Sequence, residues 1–289
     1  MSVSIVGVVG AGFMGSGIAE SAAAVGKNVL VYEPDETPLE LSRGALRVSV
    51  DRAAFRGKLS ADEAEALIDR IVYTTRLEDL RGADAVVEAV TEDAGVKRQV
   101  FARVDAELPD AQFLASNTSS IPIAELAAHT ERPDRVIGLH FFSPVPVMKL
   151  VEVVVALETS PATVNVAEEF AQELGKHAIR TKDRSGFIVN MLLVPYLMAA
   201  VRMYEDGFAS REDIDEGMRL GCGHPMGPLT LCDFIGLDVL YAVCDSLYEE
   251  FKRDEYAPPP LMKRMVAAGR LGRKSGRGFY DYPRAAVAQ

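Results

Sequence analysis

The sequence predicts an α/β domain built on a parallel sheet and carrying an inserted helical pair, followed by an all-α C-terminal domain. Three observations predict it. Short β-branched runs alternate with helical stretches through the first half of the chain, the pattern of a parallel sheet covered by helices. Between the second and third runs, residues 36–70 hold two helical patterns where one crossover helix would suffice. Beyond residue 187 strand-like runs disappear and helices dominate.

The apolar start, residues 3–9, lacks the basic flank of a secretion signal and runs straight into a glycine turn, so it reads as a first strand over 5–9. A helix over 14–25 follows, then strands over 28–32, 71–74, 85–89, 113–116 and 136–141. The two helices over 39–55 and 61–70 are expected to project from the sheet. Residues 147–155 add a β-rich run, and a helix over 162–174 ends at Gly175, a residue suited to a C-terminal cap. Polar residues 182–186 mark a boundary, giving one domain over 1–184 and a second over 185–289, with helices over 187–205, 211–220, 229–252 and 260–269.

With 31 basic against 42 acidic residues the net charge is −11, which argues against a nucleic-acid or anionic-membrane partner and favours a small molecule. The uncharged run 186–201 is only 16 residues long and contains Asn190 and Pro195, so a buried helix at a subunit interface fits better than a membrane span. Cys222, Cys232 and Cys244 show no paired spacing; they read as reduced, mostly buried thiols of a cytoplasmic protein with no structural metal.

Gly10, Ala11, Gly12, Phe13, Met14 and Gly15 form G-x-G-x-x-G between the first strand and its helix. This is the turn of a Rossmann-type domain: Gly10 permits the tight bend, Gly12 lets backbone approach a pyrophosphate, and Gly15 lets helix and strand pack. Glu33, 23 residues beyond Gly10, ends the second strand where a carboxylate accepts from an adenosine ribose and repels a 2′-phosphate. The expected cofactor is NAD rather than NADP; FAD would need a further pocket that the sequence does not mark.

A dehydrogenase also needs a base for the hydroxyl proton, and histidine suits that task. His140 ends the apolar run 136–139, and Glu152 follows 12 residues later on the next β-rich run, with Pro144 and Pro146 between them favouring a turn that sets the two strands side by side. The plainer reading is a core histidine and an exposed strand acid. His129, His177 and His224 lie at a helix end, after a capping glycine and in a turn, without an orienting acid in such a context.

Taken together, "GAGFMGSGIA" (10–19), "EAVTED" (88–93), "ASNTSS" (115–120), "HFFSPVPVMKLVEVV" (140–154), "GFIVN" (186–190), "HPMGPL" (224–229) and "GRKSGRGFYDY" (272–282) run in order across nearly the whole chain. They resemble the short-chain L-3-hydroxyacyl-CoA dehydrogenases, above all the bacterial 3-hydroxybutyryl-CoA branch. The resemblance implies an NAD-binding domain followed by a helical dimerisation domain, an acyl-CoA substrate and a homodimer. It implies a catalytic pair in His140 and Glu152, with Ser119 at the reacting oxygen and Asn190 at the substrate carbonyl. Cofactor contacts carry over to Glu92 and Lys97, and Ser119 and Ser143 fall on the nicotinamide side.

Plainer readings stand beside these: Ser119 capping a helix near residue 121, Asn190 satisfying backbone, and residues 92–97 as a solvated helix start. Ser143 stands where the family usually has Asn, and Glu33 where it has Asp. The inserted pair carries Arg47, Arg52, Arg56 and Lys58, either a site for coenzyme A phosphates or a solvated face. The same chemistry on a carrier-protein-bound or functionalised acyl group, and a non-catalytic NAD-binding relative, are the alternatives.

Overall fold

The computed structural model describes residues 2–283, and the chain divides into two compact units, Met1–Arg184 and Ser185–Gln289. In the first, the elements run β1 (Ile5–Val9), α1 (Phe13–Ala24), β2 (Asn28–Tyr32), α2 (Glu36–Phe55), α3 (Ala61–Asp69), β3 (Ile71–Thr74), β4 (Ala85–Glu88), α4 (Ala94–Glu107), β5 (Phe113–Ser116), α5 (Ile123–Ala127), β6 (Val136–Phe141), β7 (Leu150–Val155), α6 (Pro161–Glu173) and β8 (His177–Lys182). They form one sheet of order β3-β2-β1-β4-β5-β6-β7-β8. The strands β1 to β6 are mutually parallel, β7 runs antiparallel to β6, and β8 is parallel to β7.

The central strands β4, β5 and β6 are buried at every residue, so the middle of the sheet is covered on both faces. Val6 and Val8 of β1 join Ile18, Ala19 and Ala22 of α1 and Val164, Ala167 and Phe170 of α6 in one core. Gly7 faces the other way, where an added Cβ would lie 3.2 Å from Leu80 and 3.3 Å from Val86.

Two elements of this unit differ from expectation. The strand β8 was not foreseen, because none of its six residues is buried; an edge strand can be held by main-chain pairing to β7 with no apolar run of its own. The helical pair does not stand clear of the sheet: Leu39, Leu46 and Val50 of α2 and Ala64 and Leu67 of α3 belong to the same core as β1 and α1. Of the three thiols, Cys232 and Cys244 are buried and Cys222 is exposed, in keeping with mostly buried cysteines.

The second unit is helical: α7 (Val189–Glu205), α8 (Arg211–Cys222), α9 (Pro228–Ile235), α10 (Leu237–Phe251) and α11 (Pro260–Ala267). The single helix expected over 229–252 is two, because Gly236 takes φ +101° and turns the chain between them. Asp233, 1% exposed, accepts the Phe279 and Tyr280 amides, both at 2.9 Å, and the Tyr282 hydroxyl at 3.0 Å, which fastens the glycine-rich segment 272–282 to α9. No helix among the described residues is long and apolar enough to cross a membrane.

Candidate active site

The turn between β1 and α1 is shaped by contacts that only glycine tolerates. Gly10 takes φ +108°, and a Cβ there would sit 2.7 Å from the Ala89 backbone. At Gly15 a Cβ would lie 1.9 Å from the Gly10 carbonyl oxygen, whereas at Gly12 it would meet nothing within 4 Å. The first contact joins the helix to the turn, and the second leaves main chain facing open space at a helix N-terminus, where backbone N–H groups favour an anion. Beside it a cavity of about 370 Å³ is lined by Gly10, Gly12, Tyr32, Glu33 and Thr91, among others. Glu33 reaches back to accept the Ala11 N–H at 3.1 Å, so its carboxylate sits between turn and cavity. Open backbone, helix terminus and acid together fit an adenine dinucleotide. Phe13, at the start of α1, is 73% exposed, and Met14 packs partly against the core.

The Gly15→Ala variant should therefore bind NADH about tenfold or more weakly, since backbone donors to charged oxygens must shift by tenths of an ångström or more. A fluorescence titration beside a thermal melt measures this, and unchanged affinity would show that the turn is not the phosphate cradle.

Further along the sheet, His140 and Glu152 are direct cross-strand partners of β6 and β7. Strand alternation explains why they share a face: Ile137, Leu139 and Phe141 enter the core with α1 and α6, as do Val151 and Val153, so residues 140 and 152 point to the opposite side. The His140 Nδ1 lies 2.7 Å from Glu152 Oε2; the histidine is 7% exposed and the glutamate 0%. A carboxylate that buried, bonded to one ring nitrogen, orients the imidazole and presents Nε2 for proton exchange. The Phe142 ring lies 4.6 Å from the imidazole, centroid to centroid.

Ser119 follows β5 in the turn 117–122 and does not cap α5, which removes the plainer reading. The first amides of α5, Ile123 and Ala124, donate to the two Asp183 oxygens at 2.8 and 2.7 Å, while the Thr118 hydroxyl accepts the Ser120 and Ile121 amides of the preceding turn at 3.2 and 2.9 Å. Instead the Ser119 amide donates to Glu92 Oε1 at 2.9 Å, with its hydroxyl at 3.4 Å from the same oxygen. Nor does Glu92 begin a helix: Asp93 caps α4 by accepting the Val96 amide at 2.8 Å. Burial would raise the Glu92 carboxyl, but Lys97, the Thr118 hydroxyl and the Ser119 amide outweigh it and hold the group below the usual carboxylate range.

Lys97 is 1% exposed, its ammonium 2.6 Å from Glu88 and 3.3 Å from Glu92. Asn117 ties the two strands that carry the site, its side-chain oxygen accepting the Phe141 amide at 3.0 Å. Glu88, Ser116, Asn117 and Thr118 escape sequence reasoning. The one available signal is the acid that ends the otherwise apolar β4 run, since a buried carboxylate demands a cation nearby.

Ser143 is exposed at the start of the loop between β6 and β7. Asn190 is the second residue of α7 and belongs to the second unit. Arg47 pairs with Glu65, while Arg52, Arg56 and Lys58 are exposed around the end of α2, make no ion pair among the described residues, and flank Phe55, which is 93% exposed.

Comparison with known proteins agrees with this geometry. Residues 5–184 match the family model for the 3-hydroxyacyl-CoA dehydrogenase NAD binding domain, and residues 186–282 that for the C-terminal domain of the same family. A Mycobacterium tuberculosis 3-hydroxybutyryl-CoA dehydrogenase is 52% identical over 284 residues, covering 97% of this chain and 99% of that protein. Among solved structures, M. tuberculosis FadB2 has a TM-score of 0.96 at 52% identity, covering 98% of this chain and 100% of that one. The (S)-3-hydroxybutyryl-CoA dehydrogenase of Ralstonia eutropha has a TM-score of 0.93 at 45% identity, with the same coverage. With both of its parts matched and these relatives similar over their full length, the chain belongs to the 3-hydroxyacyl-CoA dehydrogenase family, NAD-dependent oxidoreductases.

Proposed function

We propose that the protein interconverts L-3-hydroxyacyl-CoA and 3-oxoacyl-CoA, acting on short chains such as 3-hydroxybutyryl-CoA and acetoacetyl-CoA, with His140 as the general base. The observation that carries this is the His140–Glu152 pair, 2.7 Å apart and buried as direct partners on two neighbouring strands. The protein's relatives from Mycobacterium tuberculosis and Clostridioides difficile are 3-hydroxybutyryl-CoA dehydrogenases, which supports the short chain.

In the oxidative direction His140 Nε2 takes the C3 hydroxyl proton, and the Glu152 carboxylate stabilises the resulting imidazolium. NAD, when bound, supplies the hydride acceptor. Ser119 hydrogen-bonds the reacting oxygen, and Asn190 donates its amide to the substrate carbonyl, so that C3 is held for transfer. Glu33 accepts from the adenosine ribose and Glu92 from the nicotinamide ribose, while Ser143, shorter than the usual Asn, contacts the nicotinamide side. The exposed cations Arg52, Arg56 and Lys58 meet the coenzyme A phosphates, a local exception on a chain of net charge −11.

Two copies pair through the second unit in this reading. Leu192, Phe208 and Leu220 are 73, 78 and 77% exposed there, which supports an apolar contact. A cytoplasmic location fits three unpaired thiols.

The test is the initial rate of NADH oxidation with acetoacetyl-CoA, repeated with NADPH and with the same acyl group on a carrier protein. NADH and the CoA ester should be the fast combination, with NADPH slower by about 10²-fold or more because its 2′-phosphate meets the Glu33 carboxylate. Activity confined to the carrier-bound group would overturn the CoA reading, and preference for NADPH the role of Glu33. The surface charge opposes an acidic carrier, which favours the CoA ester.

A further inference from the structure

We propose that Glu88, at the end of β4, is a positioning residue for the cofactor half of the site: it holds the Lys97 ammonium, and Lys97 in turn holds the Glu92 carboxylate against the Ser119 turn. The proposal rests on the reading of Glu92 as an acceptor for the nicotinamide ribose and adds a residue that touches no ligand.

All four residues of β4 are buried, and Glu88 itself is 2% exposed. A carboxylate in such a place is costly unless donors surround it. Three do: the Val90 amide at 2.7 Å and Lys97 Nζ at 2.6 Å on Oε1, and the Ser116 hydroxyl at 2.6 Å on Oε2. Stability is a poor reason to keep such an ion pair, because well-packed apolar residues usually serve as well. What it does accomplish is directional. The ammonium of Lys97 faces three acceptors, Glu88 at 2.6 Å, Glu92 at 3.3 Å and the Val90 carbonyl at 3.4 Å, so its orientation is fully determined.

Glu92 completes the chain. Its Oε1 gathers the Thr118 hydroxyl at 2.5 Å, the Ser119 amide at 2.9 Å and the Ser120 hydroxyl at 3.1 Å, leaving Oε2 to Lys97. One polar chain therefore runs from β4 through α4 to the turn after β5. Two carboxylates against one ammonium leave a formal charge of −1, and the accessible member is Glu92, its side chain 41% exposed against 3% for Glu88. That is where ligand hydroxyls can donate.

Among the neighbouring charges, Asp93 is engaged with the Val96 amide and Arg98 with Glu125 on α5, so Lys97 is the cation that opposes the burial of Glu92. Remove Lys97 and the Glu92 carboxyl moves up, protonating as pH falls; its capacity to accept from a ribose is then lost at the acid end. Neutralise Glu88 and Lys97 still serves Glu92, but without its anchor.

The experiment measures NADH affinity by fluorescence between about pH 5 and about pH 8, with a thermal melt for each variant, in Glu92→Gln, Lys97→Met, Glu88→Gln, the Glu88→Gln/Lys97→Met double variant, and Glu92→Gln combined with Lys97→Met and with Glu88→Gln. Glu92→Gln, Lys97→Met and Glu88→Gln should each weaken binding about tenfold, the scale of one hydrogen bond to a charged group. Lys97→Met should add a decline in affinity on acidification that the parent and Glu88→Gln lack. Added to Glu92→Gln, neither change should weaken binding further, because both act through that carboxylate. The double variant, electrically neutral at both buried positions, keeps the test readable if Lys97→Met alone folds poorly.

Parent-like affinity in Glu88→Gln and the double variant, or losses that follow the melting temperature with no acid decline, would overturn the proposal. So would additive losses on the Glu92→Gln background. Parent-like affinity in Glu92→Gln would remove the ribose contact itself, while failure of acetoacetyl-CoA as substrate would leave these binding measurements intact.

Discussion

The His140→Gln variant is expected to turn over acetoacetyl-CoA about 10²-fold or more slowly than the parent, the ordinary scale for losing a general acid–base group. His140 is 7% exposed and bonded to Glu152, which is 0% exposed, so a small residue would leave a hole beside a buried carboxylate. Glutamine is chosen because its amide can still donate to that carboxylate and occupies much of the ring's place. What it cannot do is carry a proton between substrate and solvent near neutral pH. The loss should appear in kcat, while NADH affinity, read by fluorescence, stays within about threefold because the dinucleotide cradle is made by other residues. Turnover close to the parent's would remove His140 as the base, and a parallel collapse of NADH binding would point to a damaged fold instead.

How much of this was legible in the sequence depends on whether a residue's reason is local. The glycine turn is local: only glycine accommodates φ +108° at residue 10 and the 1.9 Å approach at residue 15, so the sequence had to declare itself there. The His140–Glu152 pair was half legible. Strand ends and the proline-rich turn suggested adjacency, but the register that makes residues 140 and 152 direct partners is set by pairing across the sheet. Asn190 and Lys97 were singled out by resemblance alone. The strand β8 was illegible because none of its six residues is fully buried, and the break at Gly236 because a glycine inside an apolar helical pattern is common enough to pass. Least legible was the Glu88–Lys97–Glu92 chain, where the deciding fact is that α4 lies over the end of β4 at a distance of one lysine side chain.

The Glu152→Gln variant separates orientation from charge in the proposed His140–Glu152 pair. In the parent the carboxylate lies 2.7 Å from Nδ1; in the proposed mechanism it accepts from Nδ1–H, which fixes the tautomer with Nε2 as the acceptor for the substrate proton, and stabilises the imidazolium formed when that proton arrives. Glutamine keeps the size and most of the contacts but offers the ring either an amide oxygen or an amide N–H. With the oxygen facing Nδ1 the tautomer survives and only the stabilising charge is lost. With the N–H facing Nδ1 the ring must carry its proton on Nε2 and can no longer act as base. Turnover is therefore expected to fall about 10²- to 10⁴-fold, with the larger value if the second arrangement dominates. Stability should move the other way or not at all, because a carboxylate at 0% exposure carries a desolvation cost that a neutral amide avoids. Steady-state kinetics and a thermal melt on the same preparation decide the matter. A large drop in kcat at unchanged KM and unchanged melting temperature marks an interaction that matters in the transition state. Turnover within about threefold of the parent would reduce Glu152 to a buried structural acid.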